Sequence, residues 1–324
     1  MSNPFISDTY QDVWKKHFIN NKIVTSFNCI TKLKFFKNNW FPLFINFGRN
    51  MTNGITYQLA NDVDVLKNKV LLIYDVPSYH QIKIDDPRIR LKKIKQYKGY
   101  SLDIEAYEDI DFFLKQKFNS KSRGKFRNYF NKLEKNHSVS YNVYDERVSY
   151  ETYLDIMLQF KLLLENRFDD LGLENDILMK WSFYHDLTFQ MLKEKRAILN
   201  TICIDDKIGA ISLAFISESS IIGAVKAFDI NYKSYSLGVL ELLKLLEWSI
   251  KSNYTVFDFS KGNQAYKKRF IDQSYLFDVH IVYDSKSMRA KSMAYILSNY
   301  FKFKQFLREK NLNTWYWKLR HKLA

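Results

Sequence analysis

An α+β fold, a sheet flanked by helices, is predicted by three observations. From Val139 onward, segments of period two and period 3.6 follow one another in the order β-α-α-β-β-β-α-β-α-β. Three of those strands, "AILNTICID", "KIGAISLAFIS" and "SIIGAVKAFD", are joined by short polar turns. The helix that follows, "SLGVLELLKLLEWSIKSN", confines its charges Glu241, Lys244, Glu247 and Lys251 to one narrow stripe, so most of its surface must be buried.

Along the chain, "VLLIYDVP" is the clearest strand of the first hundred residues, with turn signals at "NNW", "GRNMTNG" and "DDPR" around it. "EDIDFFLKQKF" and "SKSRGKFRNYFNKLEKN" read as helices, the second with Phe126, Phe130 and Leu133 on one face and its cations on the other. "VSYNVY" alternates as a strand. "YETYLDIMLQFKLLLENRF" and "DILMKWSFYHDLTFQMLKEK" have helical periodicity. After the buried helix come a short strand "YTVFDF", a short helix or turn "GNQAYKKRFID", and a last strand "YLFDVHIVYD".

A chain of 324 residues is about two domains long, and 46% hydrophobic content supplies sizeable cores, which excludes a disordered protein. The two cysteines, Cys29 and Cys203, show neither a disulfide framework nor zinc-ligand spacing, and the six histidines show no metal spacing. No apolar run reaches 18 residues and no secretory leader opens the chain, so a cytoplasmic protein is expected. The net charge of +15 is uneven: residues 286–324 hold ten Lys or Arg against Glu309 alone, a net +9.

Three motifs carry a resemblance. "SKSRGKFRNYFNKLEK", "FDINYKSYSLGVLELLKLLEW" and "FDFSKGNQAYKKRF" together resemble the acetyltransferase-like domain of the cellulose-biosynthesis CelD type. This type is a branch of the GCN5-related N-acetyltransferase (GNAT) superfamily, distantly related to Fem-type peptidyltransferases. In the third motif Asp258, Gly262, Tyr266 and Lys267 fall in place together. The resemblance implies a GNAT fold with a mixed central sheet over residues 119–285, a degenerate GNAT-like half over 1–118, and basic aromatic helices over 286–324. It implies acetyl-CoA, or another acyl-CoA, as co-substrate, and an amine or hydroxyl of a sugar or cell-envelope precursor as acceptor. The sequence departs from the family at the phosphate loop, where Lys233 replaces Gln or Arg and Ser236 replaces the first Gly. Leu237 stands where this branch often has Pro, and Ser260 where it often has Gly.

A helix start leaves N–H groups without intrahelical partners and carries partial positive charge, so it can receive a pyrophosphate. Lys233, Ser234, Ser236, Gly238 and Val239 stand at that point and are the expected CoA-binding residues; an ordinary Ser-capped core helix is the alternative. Glu241, in the first turns, works mildly against an anion there. Acyl transfer by direct attack needs a proton acceptor, donors for the oxyanion and an acid for the thiolate. Asp229 and Asp258 lie on the two strands between which the fold admits the acyl group. Asp258 is the preferred base, and Tyr266 the candidate acid or substrate donor. The alternative reading of Asp258 is that it orients the Lys261–Gly262 turn or pairs with Lys267. Arg123 and Arg127, at i and i+4, share a helix face and are candidates for an anionic acceptor, as are Arg167, Lys261 and Lys267; each has a solvated or dipole-compensating alternative.

The tail interleaves its cations with Tyr295, Tyr300, Phe301, Phe303, Phe306, Trp315, Tyr316 and Trp317, a pattern suited to peripheral attachment at the inner face of a membrane. Nucleic acid ranks second, and plain packing on the domain is the alternative to both. Transfer from aminoacyl-tRNA, or a non-catalytic membrane-surface or nucleic-acid module on the same fold, are the competing functions.

Overall fold

Eleven strands and seven α-helices make up residues 3–38, 42–60, 64–262 and 267–310, which the computed structural model describes. Helix α1 (Asp8–Phe18) leads to β1 (Val24–Ser26), β2 (Lys34–Lys37), β3 (Leu43–Asn46), β4 (Val70–Pro77) and the long β5 (Ile89–Asp103). Helices α2 (Ile110–Lys117) and α3 (Ser120–Asn136) precede β6 (Val139–Tyr144), α4 (Tyr150–Leu171) and α5 (Trp181–Lys193). Then come β7 (Ala197–Ile204), β8 (Lys207–Ser217), β9 (Ser220–Phe228), α6 (Leu237–Lys251), β10 (Val256–Lys261), β11 (Gln273–Asp284) and α7 (Met288–Glu309). The expected element between β10 and β11 is a 3₁₀ turn at Lys267–Arg269; residues 263–266, Tyr266 among them, lie outside the described residues.

Local chemistry sets the helix ends. Asn119 caps α3 by accepting the Ser122 N–H at 2.9 Å, and Ser149 caps α4 through the Thr152 N–H. Gly172, at φ 59°, ends α4 in the left-handed conformation that a glycine adopts without steric cost.

Contacts group the chain into two units, residues 1–13 with 100–274 and residues 14–99 with 275–324. The contiguous segments 1–118, 119–285 and 286–324 expected from the sequence are thus divided differently. The reason is that α7 packs on β4, which joins the C-terminal segment to strands of the first hundred residues.

In the first unit, β10, β9, β8, β7 and β6 lie side by side in that order. Pairing is antiparallel from β6 to β9 and parallel between β9 and β10, a mixed sheet. One face packs Ile198, Ala214, Ile216 and Ile221 against Leu242, Leu243 and Leu246 of α6, with Phe113, Phe126, Phe257 and Phe270 in the same cluster. Phe215, one residue on from Ala214, points to the other face and meets Phe5 edge-on, with ring centroids 5.2 Å apart. Helices α4 and α5 pack on the sheet and on each other.

In the second unit, β1 to β3 pair antiparallel, β3 and β4 parallel, and β4 and β11 antiparallel. Arg88 grips the buried Asp284 with two nitrogens, each 3.0 Å from a carboxylate oxygen, and the Asn68 N–H adds a third bond at 2.8 Å. The guanidinium first, then the backbone donors, hold the Asp284 carboxyl well below the usual carboxylate range. The stabilisation is present above the ordinary carboxylate pKa of about 4 and is lost as pH falls through the depressed value. Arg88→Ala is expected to weaken the protein at neutral pH and to flatten its stability against pH below about 4, as read by thermal melts across that range.

Candidate active site

The site is built on the point where two parallel strands part. β10 is registered on β9 by Val256–Ser220, Phe257–Ile221 and Asp258–Ile222, and that register ends there. On the other edge of β9, Ala214 faces Gly223 but Leu213 faces Val225, so Ala224 is an extra residue. Such a bulge bends its strand and strengthens the local twist. β9 then continues to Phe228 and β10 to Lys261. Arg167 of α4 reaches this stretch of β9, donating to the Lys226 carbonyl at 3.3 Å and lying 4.5 Å from the centre of the Phe228 ring.

From the end of β9 the chain enters α6 through a 3₁₀ turn, Ile230–Tyr235. Asp229 caps that turn, accepting the Asn231 N–H at 2.8 Å. Ser236 then takes φ 54° and ψ 44°, and α6 begins at Leu237. The family pattern has glycine at Ser236, and it often has glycine at Ser260, which adopts φ 56°. Both serines therefore keep the left-handed backbone that glycine favours. The Ser236 carbonyl accepts the Val239 N–H at 2.8 Å, while helix geometry leaves the first N–H groups of α6 without an intrahelical acceptor. A Cβ on Gly238 would come within 3.1 Å of the Phe228 ring, so this glycine lets α6 close on the end of β9.

Beside this helix start stands Tyr129 of α3. A hydrogen bond with Ser236, then one with Lys125, lowers its phenol pKa, and Arg269 adds a weaker field of the same sign. Ser234 is exposed, and Lys233 turns away to Asp170, 3.2 Å distant on α4.

Beneath the start of α6 lies a buried ionic cluster. Glu241 is fully buried, with 0% of its surface exposed. Its Oε1 accepts from Asn200 Nδ2 at 2.8 Å and from the Ser212 hydroxyl, and its Oε2 lies 2.6 Å from Lys226 Nζ. Lys226 also donates to the Gly238 carbonyl at 3.0 Å, tying β9 to the first turn of α6. Asn200, Ser212 and Lys226 are register neighbours across β7, β8 and β9. Glu241 thus leaves the exposed stripe read from the sequence and points into the sheet. Lys244, Glu247 and Lys251 do form surface pairs, at 3.0 and 2.7 Å.

At the end of β10, Asp258 is buried and accepts the Ser260 N–H at 2.6 Å. Gly262 turns the chain at φ 110°. Lys267 folds back, donating to the carbonyls of Phe259 at 2.7 Å and Lys261 at 2.8 Å. Burial pushes its ammonium down to about 8, against the opposing pull of Asp258 and with a smaller push from Lys226. Phe270 anchors the turn in the core, and Arg269 lies 5.5 Å from the centre of the Phe118 ring.

Of the residues expected from sequence, Asp258, Lys261 and Lys267 meet at one point, and Ser236, Gly238 and Val239 form the start of α6. Arg123 instead bonds the Phe118 carbonyl at 2.7 Å, and Arg127 is exposed on α3, so the structure does not present the two as a clamp. The buried pairing of Lys226 with Glu241, and the place of Tyr129 beside Ser236, are not among the readings of the sequence. A lysine inside the apolar strand "SIIGAVKAF" and a glutamate in the apolar helix after it were the available signal. Among the described residues, no cluster of three or more His, Cys, Asp or Glu could hold a metal ion.

Comparison with known proteins agrees with this architecture. Residues 120–268 match the acetyltransferase (GNAT) domain family. Among solved structures, FemX superposes with a TM-score of 0.58 at 10% identity, over 88% of this chain and 93% of FemX. A conserved protein of unknown function from Bacteroides thetaiotaomicron gives 0.53 at 12% identity, covering 87% and 91%. The C-terminal domain (DUF2156) of a candidate lysylphosphatidylglycerol synthetase from Agrobacterium fabrum gives 0.50 at 11%, covering 86% and 88%. No curated protein sequence matches the chain.

Proposed function

We propose, from the premise that residues 120–268 form an acetyltransferase (GNAT) domain, that this protein transfers an acyl group from acyl-CoA to an amine or hydroxyl acceptor. The observation that carries the reading is the parting of β9 and β10 directly beside the left-handed entry to α6. The first N–H groups of α6 receive the pyrophosphate, with Tyr129, Lys125 and Arg269 beside them. The β9 backbone beyond the bulge receives the arm that carries the thioester. The acceptor nitrogen or oxygen attacks the thioester carbonyl, the C–S bond breaks, and CoA leaves as the thiolate.

Lys267 takes the proton of the attacking atom. It is the buried group at the parting whose charge changes near neutral pH, and Asp258 orients the turn that presents it. Tyr266 is the acid that returns a proton to the thiolate. A sugar or cell-envelope precursor is the acceptor that the CelD-type resemblance suggests, bound on the Arg167 side of the cleft. The expected location is cytoplasmic.

Titration calorimetry with acetyl-CoA and with CoA tests the donor. Both are expected to bind. Ser236→Val, which places a β-branched residue at φ 54°, is expected to weaken both at least tenfold, whereas Ser236→Gly leaves them unchanged. The resemblance to FemX over most of both chains favours a second reading, aminoacyl-tRNA as donor. Binding of aminoacyl-tRNA without binding of either CoA species would replace the first reading by the second.

A further inference from the structure

Helix α7 presents its apolar side chains outward. Met288, Tyr295, Ile296, Tyr300, Phe303 and Phe306 are each more than half exposed. At about 100° per residue these six share one side of the helix, opposite the packed residues Ala294, Ser298 and Phe301. Exposed Lys291 and Lys302, eleven residues apart, border one edge of this stripe, with exposed Glu309 on the same edge at the end of the helix, and exposed Arg289 lies near the other edge at its start. Lys92 lies 5.7 Å from the centre of the Tyr295 ring and adds a cation at the Lys-bearing edge. Arg308 takes no part: it donates to the Gln96 carbonyl at 3.0 Å and covers Tyr97.

We infer that this face of α7 docks on an anionic lipid surface, independently of the reaction assigned to residues 120–268. Charge and layout select that occupant. The segment from 286 onward carries +9, so an anionic partner is favoured. An interfacial helix places its apolar stripe at the boundary of headgroups and acyl chains, with cations along its edges at headgroup level and aromatic rings between. On α7 the aliphatic and aromatic residues span the outward face, interrupted by exposed Ser292 and Asn299, and Lys291 and Lys302 run along one edge. A surface for single-stranded nucleic acid needs its cations along the groove that follows the backbone, and exposed Met288 and Ile296 offer a base no stacking plane.

The full chain is tested by flotation with two vesicle preparations, one of phosphatidylcholine alone and one rich in phosphatidylglycerol. Binding is expected only to the anionic vesicles, weakening as salt is added. At about one kcal/mol per cation, Lys291→Glu with Lys302→Glu is expected to reduce vesicle affinity by about thirtyfold or more. Ile296→Ser with Phe303→Ser and Phe306→Ser, all exposed positions, is expected to abolish it while the circular dichroism spectrum and melting temperature stay unchanged. The inference is overturned if the full chain ignores anionic vesicles, or if both variants bind them as well as the parent does. It is also overturned if these substitutions release a single-stranded RNA but no vesicle, or dissociate a dimer seen in sedimentation.

Discussion

Glu241→Ala is expected to lower stability by about 4 kcal/mol, because it removes one partner of a buried ion pair and leaves the other without its counter-charge. The carboxylate is fully buried and accepts from Asn200 and Ser212 while facing Lys226 at 2.6 Å. Deleting it takes the facing carboxylate from the Lys226 ammonium and an acceptor from Asn200 and Ser212, while Lys226 keeps the Gly238 carbonyl, Asn200 the Glu241 main-chain carbonyl, and Lys226 some access to water through the fifth of its side chain that is exposed. Glu241→Gln keeps an acceptor for Asn200 and Ser212 but loses the charge and the second acceptor that faces Lys226, so about half that cost is expected. Replacing both ions with apolar groups, Lys226→Met with Glu241→Leu, is expected to return within about 1 kcal/mol of the parent, since burying the pair offsets much of its own attraction. Urea unfolding of the three variants decides the matter. An alanine variant that costs less than the glutamine one would show that no buried pair exists.

The second large effect concerns Lys267. If its neutral amine accepts the proton, the rate rises with pH through about 8, and Lys267→Met loses the rising limb with about a hundredfold or greater loss of turnover. Asp258 raises the pKa of this lysine against burial, so Asp258→Asn moves the limb to lower pH and leaves the high-pH rate near that of the parent. Were Asp258 itself the base, the same substitution would abolish turnover at every pH. Stability carries an independent signature. A lysine whose folded pKa is depressed from 10.5 to about 8 is charged in the unfolded chain but neutral in the folded one between those values. Folding therefore gains stability as pH rises across that window, and Lys267→Met removes the gain.

Much of this was legible in the sequence for a physical reason. Helix α3 matches "SKSRGKFRNYFNKLEKN" because Phe126 and Leu133 are buried at helical spacing and Asn119 supplies a cap. Phe257 and Phe259 do share the core face, leaving Asp258 on the other side of β10. Strand β5 was missed: "IRLKKIKQYKGYSLD" alternates only in part, since Arg90, Lys93, Lys95 and Lys98 are exposed between residues that are buried or half-buried. Helix α1 was missed because its apolar face rests on Tyr10, Val13 and Trp14 among charged residues. At the site, chain order puts Ser236 at the entry to α6 and Asp258 on β10, as the structure has them, but Glu241 reads with Lys244 on one polar stripe. Nothing in a helical wheel says which side carries the sheet when one acidic residue has a lysine waiting beneath it.

The extra residue at Ala224 has a further effect on which way side chains point. Strict alternation from Ile221, which faces α6, would turn Val225 toward α6 and Lys226 away from it. Because the bulge shifts the count by one, Val225 pairs with Leu213 on the opposite face and Lys226 aligns with Ser212, over Glu241. A single inserted residue thus switches the parity of the strand: before it β9 is in step with β10, and after it β9 is in step with α6. A loss or gain of one residue in this strand would exchange the faces of every side chain from Val225 to Phe228, whereas the same change in the turn before Ser220 would leave their order intact.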